Sequence, residues 1–161
     1  MEGCFKVGLY KQGLLHDLSK FNPEEFMTGV RFFQGTRSPN AKERELYDYS
    51  VAWLHHKGRN KHHFESWTDV AADRSKALEG KKMPVNYLAE MVMDRIAASK
   101  TYKGDKYTDS TALEYLDRSM DKDMMHPDTY AELRKILTIL SEDGEKVMYA
   151  YVRRLLRKGT Y

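Results

Sequence analysis

Three short stretches hold the residue types that bind metals and move protons. The first is Leu14-Leu15-His16-Asp17-Leu18-Ser19-Lys20, in which a histidine, an aspartate and a lysine follow two leucines. The second runs from Trp53 to His63 and holds His55, His56, His62 and His63, four of the chain's six histidines within nine residues. The third is Tyr87-Leu88-Ala89-Glu90-Met91-Val92-Met93-Asp94-Arg95-Ile96-Ala97-Ala98, an apolar stretch with Asp94 inside it. Imidazole is the commonest side-chain ligand for transition metals, and carboxylate completes such sites. The plain alternative is a His-rich surface loop that binds nothing.

Helical spacing sharpens the metal reading. On a 3.6-residue repeat Asp17 shares a stripe with Tyr10, Leu14 and Phe21, so it is expected on the apolar side. Asp94 falls in line with Tyr87, Met91 and Ala98 in the same way. A carboxylate on an apolar face is costly unless it is paired or metal-bound. For Asp94 alone, a structural salt bridge or a cap would also serve. Lys57, Arg59 and Lys61 are interleaved with the histidines, and three cations there suit a phosphate ester with more than one negative charge. Taken one at a time, each is as well explained by a solvated basic loop.

The elements that must position these residues read as helices almost throughout. A first helix is expected over about Phe5–Ser19. Asn22-Pro23-Glu24-Glu25 opens a second that stops near Gly35, with a capping Asn, a proline in the first turn and carboxylates at the positive end of the dipole. Ser38-Pro39-Asn40 opens a third that ends around Lys57-Gly58. The polar stretch from Thr68 to Lys82 reads as a long loop, or a loop with a short helix. Pro84 starts a strong helix to about Tyr102, and a short helix is expected near Ala112–Leu116. From about residue 127 to 158 the pattern is a helical hairpin turning at Glu142-Asp143-Gly144.

Together these make one all-α, bundle-like domain over residues 1–161. Hydrophobic residues are 41% and charged residues 32% of the chain, an ordinary globular balance. The formal charge of +3 fits an anionic ligand without requiring nucleic acid. One cysteine, Cys4, excludes an internal disulfide and suits a reducing cytoplasm. No stretch approaches the roughly 20 apolar residues of a membrane span, and Lys6, Lys11 and Gln12 break any signal-like apolar run. The expected location is cytoplasmic, with no membrane partner. Self-association is left open.

The ordered series of a His-Asp pair, a histidine cluster and a distal aspartate resembles the HD-domain superfamily of metal-dependent phosphohydrolases. The string from Leu14 through Lys20, with that from Trp53 through His63, is also similar to an uncharacterised bacterial and phage family with no assigned reaction. The superfamily resemblance implies an HD-like helical bundle. It implies that His16, Asp17 and Asp94 hold one divalent ion (Mn, Fe, Ni, Co, Zn or Mg). His56, with His55, His62 or His63, would hold a second ion or orient substrate. Asp17, Lys20 and Asp94 would be the catalytic groups, Lys20 as a phosphate contact, and Lys57, Arg59 and Lys61 would help bind substrate. The superfamily also has an earlier histidine; none lies among residues 1–15, so either the natural start lies upstream, or another ligand such as His55, His56, His62 or His63 substitutes, or this chain has lost one ligand. The implied function is hydrolysis of a nucleotide, cyclic nucleotide or related small phosphate ester. The alternatives are an inactive nucleotide- or nucleic-acid-binding module on the same fold, or a helical interaction protein with a structural metal.

Overall fold

The computed structural model, which describes residues 1–73 and 76–161, breaks the expected first helix into three pieces. These are α1 (Glu2–Lys6), α2 (Tyr10–Leu15) and a 3-10 turn over Leu18–Phe21. Gly8, at φ +89°, makes the first break, and Asp17 makes the second in the left-handed region at φ 58°, ψ 22°. The single stripe through Tyr10, Leu14, Asp17 and Phe21 therefore does not exist. Tyr10, Leu14 and Phe21 are exposed while Asp17 is buried.

Side-chain caps set the next three helices. Asn22 accepts from Glu24 N–H at 3.0 Å and opens α3 (Pro23–Phe32). Ser38 does the same for α4 (Pro39–Tyr47), accepting from Asn40 N–H. The expected third helix is split after Tyr47, because Asp48 turns into the left-handed region and Ser50 caps a new helix, α5 (Val51–Arg59), by accepting from Trp53 N–H at 3.0 Å. An N-cap of this kind is worth about 1 kcal/mol.

Where a loop was expected, the chain forms two short antiparallel strands, β1 (Thr68–Val70) and β2 (Leu78–Gly80), in register Thr68↔Gly80, Asp69↔Glu79 and Val70↔Leu78. Gly80 lies against the chain at Met124–His126, so close that a Cβ there would sit 2.4 Å from the Met124 carbonyl oxygen.

The remaining helices form the apolar body: α6 (Val85–Lys103), α7 (Thr111–Arg118) and α8 (Pro127–Lys158). Inside α8, Gly144 at φ 80°, ψ 173° reverses the chain. Tyr151 Oη consequently donates to Glu132 at 2.6 Å, which two positions nineteen apart on one straight helix could not do. Leu88, Val92, Leu116, Leu133, Leu137, Leu140 and Met148 are fully buried between these helices. Each such side chain contributes about 1.5–3 kcal/mol by leaving water. Among the described residues the fold is thus all-α apart from the two-stranded sheet.

The layer made by α3, α4 and α5 has the opposite polarity. Its buried residues are Glu25 and Thr28 on α3, Glu43 on α4, and Ala52, His55 and His56 on α5. Glu43 accepts from Thr28 at 3.3 Å and from Ser50 at 2.5 Å, so the interior of the layer is a satisfied polar network. Among the described residues no helix is long and apolar enough to cross a membrane.

Candidate metal centre

Asp17 is the centre of the site. Its left-handed backbone, between α2 and the 3-10 turn, turns the carboxylate inward; Asn and Asp tolerate this conformation better than other non-glycine residues. Oδ2 lies 3.2 Å from His16 Nε2 and pairs with the Lys20 ammonium. Oδ1 lies 3.3 Å from His56 Nε2 and 3.5 Å from His62 Nε2. Asp94, on α6, closes the far side with Oδ1 3.3 Å from His16 Nε2.

Two buried glutamates hold the rings. Glu90, one turn before Asp94 on α6, accepts from His16 Nδ1 at 3.0 Å, lies 3.2 Å from His62 Nδ1 and pairs with Gln12. Glu25 on α3 accepts from His56 Nδ1 at 2.7 Å and from His55 Nδ1 at 2.5 Å. Ser19 and Asn60 complete that side, with Asn60 Nδ2 2.8 Å from Ser19 Oγ. With Nδ1 engaged by a carboxylate, His16, His56 and His62 each turn Nε2 toward Asp17. Carboxylate–histidine pairs of this kind fix ring orientation and raise ligand basicity at metal sites.

Ligand atoms converge in two overlapping sets. Asp17, His56, His62 and His63 form one, and His16, Asp17, His62 and Asp94 form the other, with the atoms of each set within 4.8 Å of one another. Asp17 and His62 belong to both. Among the described residues, three buried atoms at this point have no hydrogen-bond partner: Asp17 Oδ1, His62 Nε2 and His63 Nε2. An unsatisfied buried polar atom costs about 1–3 kcal/mol. Three of them facing one space fit a cation that would satisfy all of them, and the mixed imidazole and carboxylate donors fit a divalent transition ion.

The charges in the site agree. Burial opposes a proton on His16, but hydrogen bonds with Asp94 and Glu90 and the charge of Asp17 outweigh it and raise its pKa to about 9. Burial likewise opposes ionisation of Glu90 and Asp94, and the neighbouring histidines reverse it. Glu90 falls to about 2, and Asp94 is held well below the usual carboxylate range. His63 is pushed down to about 2 by burial and by the adjacent His62 and His56. It is therefore a neutral ring at neutral pH, the form that ligates metal.

The other residues marked in the sequence fall around this centre. His55 is buried against Glu25, with Nε2 3.7 Å from Glu24, outside both ligand sets. Lys20 is at the mouth, its side chain 58% exposed. Lys57, Arg59 and Lys61 line a neighbouring open cleft of about 400 Å³ with Glu65 and Trp67. Trp53 packs edge-on against His63, and Trp67 donates its indole N–H to the Lys61 carbonyl at 2.7 Å. Arg95 pairs with Asp121 at 2.7 Å and leaves Asp94 to the histidines. Glu25 and Glu90 were not singled out by sequence reasoning. Glu90 carried a usable signal, since it stands four residues before Asp94 in the same apolar helix.

Residues 1–139 match the family described as "Family of unknown function (DUF5662)". The chain belongs to this family. Comparison with curated proteins and with solved structures found no match.

Proposed function

We propose that this DUF5662 chain is a metal-dependent phosphohydrolase of HD type, acting on a nucleotide, cyclic nucleotide or related small phosphate ester. The observation that carries the reading is the pair of four-residue ligand sets sharing Asp17 and His62, with three buried donor atoms left unsatisfied between them. His16 and Asp94, 78 positions apart, converge there, and the chain order of the His-Asp pair, the histidine cluster and the distal aspartate is the one the superfamily uses. His62, common to both sets, is the candidate to stand in for the superfamily's earlier histidine.

A divalent ion held by these side chains supplies Lewis acidity and a water that deprotonates near neutral pH. The chain's own residues supply the rest. Glu90 and Glu25 fix the rings. Asp94, held ionised beside His16, would hold the ion and orient an attacking water by accepting its hydrogen bond. The Lys20 ammonium, half in solvent at the mouth, neutralises phosphate oxygens.

A second reading is a nucleotide-binding module without turnover. It is favoured by the grouping of Lys57, Arg59, Lys61 and Trp67 on one open cleft beside the ligand sets. Metal content and hydrolysis of bis(p-nitrophenyl) phosphate with added Mn²⁺ decide between them. The enzyme reading expects bound metal and turnover, both abolished in Asp17→Ala. Metal uptake with wild type as inactive as Asp17→Ala toward this ester and toward nucleotides would leave only the binding module.

A further inference from the structure

The second arm of α8, after Gly144, carries charge that the fold does not use. Residues 146–158 hold Lys146, Arg153, Arg154, Arg157 and Lys158 and no Asp or Glu. Taking these five from the 27 Lys and Arg leaves 22 against 24 Asp and Glu, so the rest of the chain is formally −2 and this arm alone is +5. All five side chains are exposed. On a 3.6-residue repeat they lie opposite Met148, Val152 and Leu155, which are buried in the apolar body. They form one outward face, about 18 Å long from Lys146 to Lys158.

These cations are unpaired. Elsewhere on the same body Arg95 pairs with Asp121 at 2.7 Å, Arg134 with Asp117 at 2.9 Å and Lys82 with Asp128 at 3.0 Å. Among the described residues none of the five forms an ion pair. The acids that flank the face are occupied, Glu145 by Lys100 and Glu132 by the Tyr151 hydroxyl. Glu142 and Asp143 precede the Gly144 reversal, at the other end of the arm from the arginines. Arg153 donates to the Lys6 carbonyl at 2.8 Å and Arg154 lies over the Tyr151 ring, and neither contact neutralises charge. Like charges one helical turn apart, such as Arg153 with Arg157 and Arg154 with Lys158, disfavour each other, and a polyanion relieves that repulsion.

The composition of the face selects the polyanion. A helix that lies in a membrane inserts an apolar side, and the apolar side of this arm is committed to the core. A protein interface is built on a charge-poor centre with aromatic anchors, whereas the centre of this face is cationic. Single strands are held by bases stacked on aromatic rings. The exposed positions of the arm hold no aromatic residue, and the half-buried Tyr151 ring is engaged by Arg154 at 5.0 Å and Lys135 at 5.1 Å. What remains is a row of phosphates. Three of the five cations are arginines, whose planar forks suit phosphate oxygens, and a duplex carries roughly ten charges over about 18 Å of its axis. A convex helical ridge fits the wide major groove of B-DNA, about 12 Å across, better than the narrow groove of A-form RNA.

We propose that the outward face of the second arm of α8 binds the phosphate backbone of double-stranded DNA without reading its sequence. The contact does not rest on the metal reading, since it uses the apolar body and none of the ligand or cleft residues.

Fluorescence anisotropy of a labelled random-sequence duplex of about 20 base pairs, titrated with the full chain in EDTA at stepped NaCl, tests it. Wild type is expected to bind in the micromolar range at low salt, with log K falling against log[NaCl] at a slope of about −4, as roughly five neutralised phosphates require. Arg157→Gln combined with Lys158→Gln weakens binding at least about tenfold and lowers the slope by about two. Arg31→Gln combined with Arg44→Gln removes the same charge from exposed positions on α3 and α4 and leaves affinity and slope as in wild type. Metal content, read separately without EDTA, is the same in all three proteins. Absence of duplex binding at low salt overturns the proposal. So does an unchanged slope in the α8 variant, and so does equal weakening by the two variants, the mark of a diffuse charge effect. Tighter binding to single-stranded DNA, an RNA duplex, polyglutamate or phosphatidylserine vesicles than to the DNA duplex also overturns it.

Discussion

His16, Asp17 and their glutamates divide the work of the site, and substitutions separate the roles. Glu90→Gln leaves every ligand atom in place but weakens the acceptor that orients His16 and His62. Mn²⁺ affinity measured by calorimetry should fall about 10–100-fold. His55→Gln, outside both ligand sets, should leave metal stoichiometry unchanged. Proton linkage follows from the shifts in the metal-free chain. His16, raised to about 9, contributes stability that is complete below its unfolded value near 6.5 and is lost as pH rises through 9. His63, lowered to about 2, and Glu90 contribute stability present above their unfolded values and lost as pH falls. The metal-free melting temperature should therefore peak at about pH 6.5. Metal uptake displaces the His16 proton, so affinity should climb about tenfold per pH unit from roughly 6.5 to 9. An affinity flat with pH would remove His16 from the ligands.

At the scale of elements, the caps were legible and the breaks were not. Asn22-Pro23 and Ser38-Pro39 start helices where their side chains accept the first free N–H groups, a local effect written in local residues. Asp17 is inside, as its stripe suggested, but for a different reason. The stripe assumed one continuous helix, whereas a left-handed turn at Asp17 itself turns the carboxylate in, and the buried polar partners that reward that turn are distant in sequence. Glu25 reads locally as a dipole-compensating residue at a helix start, and only its nearness to His55 and His56, thirty positions on, shows that it holds rings. Two glycines give tests at this scale. Gly80→Ala drives a Cβ into backbone near Met124 and should destabilise by about 1–3 kcal/mol. Gly144→Ala forces a positive φ on a side chain and should cost about 1–2 kcal/mol. Thermal melts with metal content intact check both.

For the whole molecule, the proposed ligands and the glutamates that hold them come from parts of unlike character. Asp94 and Glu90 stand on α6, whose other buried residues are apolar. His56 and Glu25 belong to the polar α3–α5 layer, and His16, Asp17, His62 and His63 to the connections between the two. Hydrophobic burial accounts for the body, but the layer depends on ion pairs and hydrogen bonds at this seam. Saturating Mn²⁺ at about one hundred times its Kd should add about 2.7 kcal/mol of stability. Equal melting temperatures with Mn²⁺ and with EDTA would exclude binding to the folded state.

An ion bound at the Asp17–His62 seam, as proposed, would act as a rivet between the apolar body and the polar α3–α5 layer. With the rivet removed by chelation, calorimetry should record two heat-absorption peaks instead of one. A protease should then nick the chain first around Asp48–Ser50, while the Gly144 hairpin stays whole.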